Sequence, residues 1–238
     1  MEENLKLKQE INNTSNKKNF KYLNFINLAF VVLLIGSNLG AIKLVSFGNL
    51  ILPGGIILFP MLYVLNDMLT EIYGFSISRR VIWSALFFNI FLTLILYIIV
   101  LLPPAPEHSN HEAFAKIFSF APRIVMASLT SYFFGELLNA YALSHLKIIF
   151  KGKNFALRAI LSTCVGAFLE TLVFATIAFG HLMNVKMLIH FAATLTLTKV
   201  LYELLLLPFT IIITRYLKKI EGVDSYEKPS LKAVFNLK

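Results

Sequence analysis

Residues 191–217 read FAATLTLTKVLYELLLLPFTIIITRYL, an apolar stretch with Lys199 and Glu203 near its middle. About 20 predominantly apolar residues, rising 1.5 Å each in a helix, cross the hydrocarbon of a bilayer. An ionised side chain at the centre of such a helix costs about 2.5–3.5 kcal/mol on insertion scales. Lys199 and Glu203 lie four residues apart on one helix face, where an internal ion pair is one way to neutralise both. Compensation from neighbouring helices is the other way.

Five further stretches of similar character precede this one, at 25–45, 50–71, 81–102, 123–146 and 157–179. The chain of 238 residues is 57% hydrophobic and 15% charged, with a mean hydropathy of +0.72. Soluble domains carry roughly 25% charge, so a single soluble core does not account for this composition. The expected fold class is therefore all-α, a polytopic membrane protein with six transmembrane helices. A basic polar tail occupies 1–23, the helical domain 24–219 and a second tail 220–238. The first stretch follows a polar segment without a small-residue cleavage site, and reads as an uncleaved span.

The net charge of +9 fits membrane topology better than nucleic-acid binding, because no basic stripe is interleaved with exposed aromatics. Seventeen of the 22 lysines and arginines fall on one side of the six stretches and four on the other. That excess places both termini in the cytoplasm, and an even number of spans satisfies it. The single cysteine, Cys164, lies inside an apolar run, so no disulfide is available.

Pro53, Gly54, Gly55 and Pro60 crowd the outer half of the second stretch. There a regular helix would lose hydrogen bonds. The helix either starts late or is broken and lines a cavity, and the broken or re-entrant form is the favoured expectation. Between the third and fourth stretches a proline-rich segment leads into a short amphipathic run. No sequence repeat relates the two halves.

Counted along each stretch, Asn38, Glu136, Glu170 and Glu203 fall about 12 or 13 residues in, at a common depth. Three glutamates set against Lys199 leave acids in surplus. Those must be protonated or bonded to donors supplied by protein, water or a ligand. Glu136 and Asn139 share a helix face, as do Glu170 and Phe174. A carboxylate beside an amide and near aromatic rings suits a flat, hydrogen-bonding ligand. The candidate substrate contacts are Glu136, Asn139, Glu170, Lys199, Glu203, Asn38 and Phe174. Asp67 and Glu71, lower in the second stretch, are candidates for a cytoplasmic gate or proton relay. They would alternatively reach water or pair with Arg79 and Arg80.

The histidines, His108, His111, His145, His181 and His190, lie on or near loops without further ligands at metal-binding spacing, so no metal and no cofactor is expected. Hydrolase, zinc-protease, phosphate-loop and paired-cysteine motifs are absent, and the chain is not read as an enzyme.

Residues 66–74, NDMLTEIYG, followed by Ser78-Arg79-Arg80, resemble the signature of the queuosine precursor transporter family. Further matches follow in order at 123–139 with Gly135-Glu136, at 162–174 with Glu170-Thr171-Leu172, and at 199–208. The resemblance covers about 24–219. Glu170-Thr171 stands where the family usually has Asp-Thr, which keeps the carboxylate and lengthens its reach by a methylene. Arg158 also resembles a family position, although its place at a helix end is explained by topology alone.

The resemblance implies import of 7-deazaguanine bases, such as 7-cyano- or 7-aminomethyl-7-deazaguanine, across a bacterial inner membrane. Such a base presents N–H donors along one edge, and a carboxylate accepts two at once. Lys199 or Asn139 would donate to the base's carbonyl, with Tyr132, Phe168 or Phe174 against the ring. A buried glutamate that takes a proton outside and releases it inside would couple import to a proton gradient. The expected partners are a purine-like small molecule and the lipid bilayer, with a homo-oligomer possible and no nucleic acid. The rivals are a substrate-capture subunit of an ATP-driven vitamin importer and an intramembrane enzyme.

Overall fold

The structure is a computed structural model that describes residues 20–41, 43–47, 50–105, 110–118, 122–180 and 184–230. Most of the N-terminal tail, together with His108 and His181, lies outside the described residues. Among the described residues, helices and one hairpin run in the order α1 (Leu23–Ala41), β1 (Leu44–Phe47), β2 (Leu50–Pro53), α2 (Phe59–Tyr73), α3 (Phe75–Leu101), α4 (His111–Phe118), α5 (Pro122–Ile149), α6 (Phe155–Phe179) and α7 (Val185–Glu221). By length and composition α1, α3, α6 and α7 are apolar enough to cross a membrane. Helix α5 is as long as these, with 28 residues, but Glu136 and Lys147 interrupt its apolar character.

The second predicted span departs most from a plain helix. Its outer part is the strand β2, paired antiparallel with β1 in the register Leu44↔Pro53 to Phe47↔Leu50. A 3-10 turn, Gly54–Ile57, follows, and α2 begins only at Phe59 with Pro60 in its first turn. Proline is tolerated there because the first N–H groups of a helix have no internal partner. With 15 residues, α2 is about 22 Å long, short of the roughly 30 Å hydrocarbon thickness. The hairpin ladder satisfies backbone groups of this irregular segment, closed by Gly54 N donating to Lys43 O at 2.7 Å and extended by Leu58 N to Gly55 O at 3.0 Å.

Helices α1 and α3 each bury one stripe and leave the opposite apolar face open. On α1 the buried stripe is Ile26, Phe30, Leu34 and Ser37, while Phe25, Leu28 and Val32 are exposed. On α3, Ser78, Val81, Ile82, Ala85 and Asn89 are buried, but Phe91, Leu94, Ile98 and Leu101 are exposed. An apolar surface of that extent requires a non-aqueous neighbour. The central core joins α1, α2, α3 and α5 through Phe30, Leu62, Leu69, Ile72, Ile82 and Phe133. Trp83 meets Phe133 edge-on at 4.5 Å.

Helix α7 has 37 residues, about 55 Å at 1.5 Å each, and so extends beyond the hydrocarbon. Asn184 caps it, accepting from Met187 N at 3.0 Å. Gly222, with a φ of 62°, ends it. Residues 223–230 then cross back under the bundle as a strap. Ser225 N donates to Ile72 O at 3.1 Å. Glu227 accepts from Ser76 N at 2.8 Å and from the Ser76 hydroxyl. Ser144 Oγ donates to Glu227 O at 2.8 Å. Gly74, at the α2–α3 junction with a φ of 92°, makes room for this strap: a Cβ there would lie 2.6 Å from Ser225 Oγ. The predicted second tail is thus partly a packed element.

Candidate functional site

Four helices bring polar side chains to one buried cluster. Helix α2 contributes Tyr63, Asn66 and Asp67, and α5 contributes Tyr132, Glu136 and Asn139. Helix α6 adds Thr163 and Glu170, and α7 adds Glu203, all buried, beside Lys199. The helical repeat sets these sets of residues, since positions three and four apart lie on one face.

Two glycines allow the close approach of α5 and α6. A Cβ on Gly135 would fall 2.5 Å from Glu170 Cβ, and one on Gly166 would fall 2.7 Å from Asn139 Cβ and 2.8 Å from Gly135 O. Because of that contact, the side chains of Glu136, Asn139 and Glu170 share one layer of the bundle.

The hydrogen bonds cross between helices. Lys199 Nζ donates to Glu170 Oε2 at 2.6 Å and to Tyr63 OH at 3.2 Å, and the Tyr63 hydroxyl donates to the same Glu170 oxygen. Lys199 also lies 4.9 Å from the Phe59 ring centroid. The lysine therefore pairs with Glu170 across helices, and the intrahelical pairing with Glu203 is not formed. Asn66 Nδ2 donates to Glu136 O at 3.2 Å and to the Glu136 carboxylate, while Ser78 Oγ donates to Asn66 Oδ1 at 2.6 Å. Asn139 Nδ2 donates to Asp67 Oδ1 at 3.0 Å.

Acceptors remain in excess. Among the described residues, Glu136 Oε1, Asn139 Oδ1 and both Glu203 oxygens are buried without a hydrogen-bond partner, as are the hydroxyls of Tyr132 and Thr163. Glu203 faces Asp67 and Thr163. Among the described residues, four carboxylates, those of Asp67, Glu136, Glu170 and Glu203, thus stand against the ammonium of Lys199.

The remaining sequence candidates divide. Asn38 is half-buried and makes no hydrogen bond to the cluster; its neighbour Ser37 instead donates to Gly55 O at 3.2 Å. Phe174 is half-buried on α6, and Phe168 is 38% exposed, which removes it from an interior ring contact. Asp67 belongs to the central cluster, whereas Glu71, one turn further on, belongs to a separate network.

In that second network Arg158 donates to both Glu71 oxygens, at 2.6 and 3.0 Å. Lys218 Nζ donates to Glu71 Oε1 at 2.6 Å, and Lys147 Nζ donates to Glu71 O at 2.6 Å. Asp224 from the strap bridges Lys147 and Lys218, at 2.8 Å from the latter. Arg79 and Arg80 are not among these partners of Glu71. Arg158 and Lys147, which read as topology signals in the sequence, are fully buried ligands of one carboxylate. The signal that would have found them is the isolated Glu71, whose burial needs cations.

No group of three or more His, Cys, Asp or Glu among the described residues is placed to hold a metal ion. His145 stacks on Tyr141 at 6.1 Å, and His190 is exposed. A cleft of about 410 Å³ between α1, α2 and α7 is lined by apolar side chains such as Phe25, Met61, Leu65, Phe209 and Ile213, and none of the clustered carboxylates lines it.

A family described as "Putative vitamin uptake transporter" matches residues 53–213, which contain the whole carboxylate cluster. The chain belongs to this family. It is 27% identical over 174 residues to the probable queuosine precursor transporter of Bacillus subtilis (strain 168), covering 73% of this chain and 76% of that one. It is 26% identical over 168 residues to the probable queuosine precursor transporter of Haemophilus influenzae, covering 71% and 68%. It is 27% identical over 165 residues to the queuosine precursor transporter of Escherichia coli (strain K12), covering 69% and 72%. No solved structure matches the chain. With these relatives and its apolar helices, this family member is a multi-pass membrane protein.

Proposed function

We propose that this chain imports queuosine precursors, 7-deazaguanine bases with cyano- or aminomethyl substituents, across the bacterial cytoplasmic membrane. Its topology in this reading has six crossings and both termini inside, with the hairpin and α2 together forming the second. The observation that carries the reading is the surplus of buried acceptors around Glu136 and Asn139. A guanine-like edge offers three N–H donors in a row, and a carboxylate accepts two of them side by side. Glu136 Oε1 is open for one donor, and its second oxygen is held by Asn66. Glu170 holds Lys199 and Tyr63 through Oε2, which fixes the lysine and leaves Oε1 for the base. The Tyr132 hydroxyl, which has no hydrogen-bond partner, or Lys199 would donate to the carbonyl oxygen of the base. One amide N–H of Asn139 is bound to Asp67, and its second N–H is a further donor for that oxygen.

Uptake of radiolabelled 7-cyano-7-deazaguanine into liposomes that contain the purified chain alone tests the reading. Saturable uptake, competed by 7-aminomethyl-7-deazaguanine and lost in Glu136→Gln, is the expected result. Binding without uptake would indicate a capture subunit that needs an energising partner. Covalent change of the bound base would indicate an enzyme.

A further inference from the structure

The contact between Asp67 and Glu203 has no role in the pairings described so far. Asp67 is 1% exposed and Glu203 3% exposed. They come from different helices, α2 and α7, and their carboxyl groups face each other within hydrogen-bonding reach. A carboxylate has no proton to donate, so two of them in contact away from water repel unless one positive charge lies between. The surroundings do not supply it. Asn139 gives Asp67 one neutral N–H, and both Glu203 oxygens lack a donor. Lys199, one turn back on α7, is directed to Glu170. A third oxygen points the same way: Thr163 Oγ1 on α6, fully buried and unpartnered, lies beside Glu203.

We propose that Asp67, Glu203 and Thr163 form a binding site for one monovalent cation, a proton or a sodium ion. The donor set is oxygen only, with two carboxylates and a hydroxyl, which suits a hard cation of low charge. A shared proton satisfies the same geometry by turning one acid into a donor. Other charged or titratable groups surround the site. Tyr63 approaches from α2, Glu136 from α5, Cys164 from α6 and Lys199 from α7. The occupied site holds α2 against α7, and the empty one drives them apart by like-charge repulsion. Cation occupancy therefore selects between two arrangements of the helices that enclose the cluster. Coupling of that selection to uptake rests on the proposed transport function; the site itself does not.

Thermal unfolding of the purified chain without substrate tests the site. Melting is measured at acid and alkaline pH, in sodium and in the bulky cation N-methylglucamine. Wild type in N-methylglucamine is expected to lose several degrees of Tm at alkaline pH. Recovery on adding sodium identifies sodium as the ion, and dependence on pH alone identifies the proton. In Glu203→Gln and, independently, in Asp67→Asn, the dependence should flatten, because an amide donates where the cation sat. Wild type insensitive to both cations, or variants that track wild type, would overturn the proposal. Imposed pH or sodium gradients across liposomes supply the second arm. If the wild-type chain moves no base at all, the transport reading fails while the melting series still decides the site.

Discussion

Arg158 clasps Glu71 with both terminal nitrogens, at 2.6 and 3.0 Å, and neither side chain reaches solvent. The pair ties the first turn of α6 to the last turn of α2, and Lys147 and Lys218 add α5 and α7 to the same carboxylate. One anion thus gathers four helices at the end of the bundle where the chain's basic residues concentrate. Removing either partner of a buried pair leaves an uncompensated charge, which costs about 3–5 kcal/mol. Glu71→Leu, which strands the buried Arg158 guanidinium, is therefore expected to be strongly destabilised. Joint replacement, Glu71→Leu with Arg158→Met, removes the stranded guanidinium and leaves Lys147 and Lys218 paired with Asp224. Chemical denaturation of the two variants in detergent checks this, and equal stability would contradict it.

The crossing of α5 over α6 yields a second prediction. Gly166→Ala would set a methyl group 2.8 Å from Gly135 O and 2.7 Å from Asn139 Cβ. Neither neighbour is the free end of a flexible side chain, so the helices must separate. Overpacking of this kind costs about 1–3 kcal/mol. Separation would also pull Asn139 and Glu136 away from Glu170, so ligand affinity should fall together with stability. Measurement of Tm with and without 7-cyano-7-deazaguanine reads both effects, and a variant with lower Tm but full ligand-induced stabilisation would refute the link.

A third concerns Lys199, whose ammonium holds the Glu170 carboxylate at 2.6 Å. Lys199→Met leaves Glu170 with the Tyr63 hydroxyl as its remaining donor. Loss of a charged partner inside the bundle costs about 1–3 kcal/mol or more. Addition of Glu170→Gln should recover stability by removing the stranded charge. Uptake should stay low in both variants, because the lysine's field on Glu136 is absent in each. A double-mutant cycle on Tm, with uptake measured in parallel, separates the two effects.

The central carboxylates were legible in the sequence for a simple reason. Glu136, Glu170 and Glu203 sit on regular helices, so counting residues gives their depth. The same count fails for Asp67. Its stretch begins with a hairpin and a 3-10 turn, which do not advance 1.5 Å per residue along one axis, so the count puts Asp67 too near the cytoplasmic end. Depth also leaves helix rotation open: Asn38 matches the others in depth, yet its neighbour Ser37 is the inward residue. Rotation likewise turns Phe168 outward. The irregular outer half of the second stretch was readable from Pro53, Gly54, Gly55 and Pro60, although its form as a strand pair was not. Arg158 and Lys147 were hidden because a cation at a helix end is the ordinary mark of topology. Their partner Glu71 is 87 and 76 residues away, and no local pattern encodes such a pairing. Residues 223–230 lack periodicity, and their anchors to Ile72 O and Ser76 N involve backbone groups that any residue provides.

The strap carries a pH prediction. Burial alone would raise the Asp224 carboxyl, but hydrogen bonds and charge from Lys147 and Lys218 outweigh it and hold the group below the usual aspartate range. A carboxyl depressed in the folded state contributes its stability above the ordinary pKa of about 3.9, and loses it as pH falls through the folded value. The strap should therefore stay attached at neutral pH and begin to release only under strong acid. Asp224 is 43% exposed, so solvent screens the pair and the release is graded. A spin label at Ser230→Cys, in a background with Cys164→Ala, reports the mobility of the strap. The label should be immobilised at neutral pH and become mobile under acid. In Asp224→Asn, which cannot form the ion pairs, it should already be more mobile at neutral pH. A label equally immobile in both proteins at every pH would show that the backbone anchors at Ile72 and Ser76 hold the strap without Asp224.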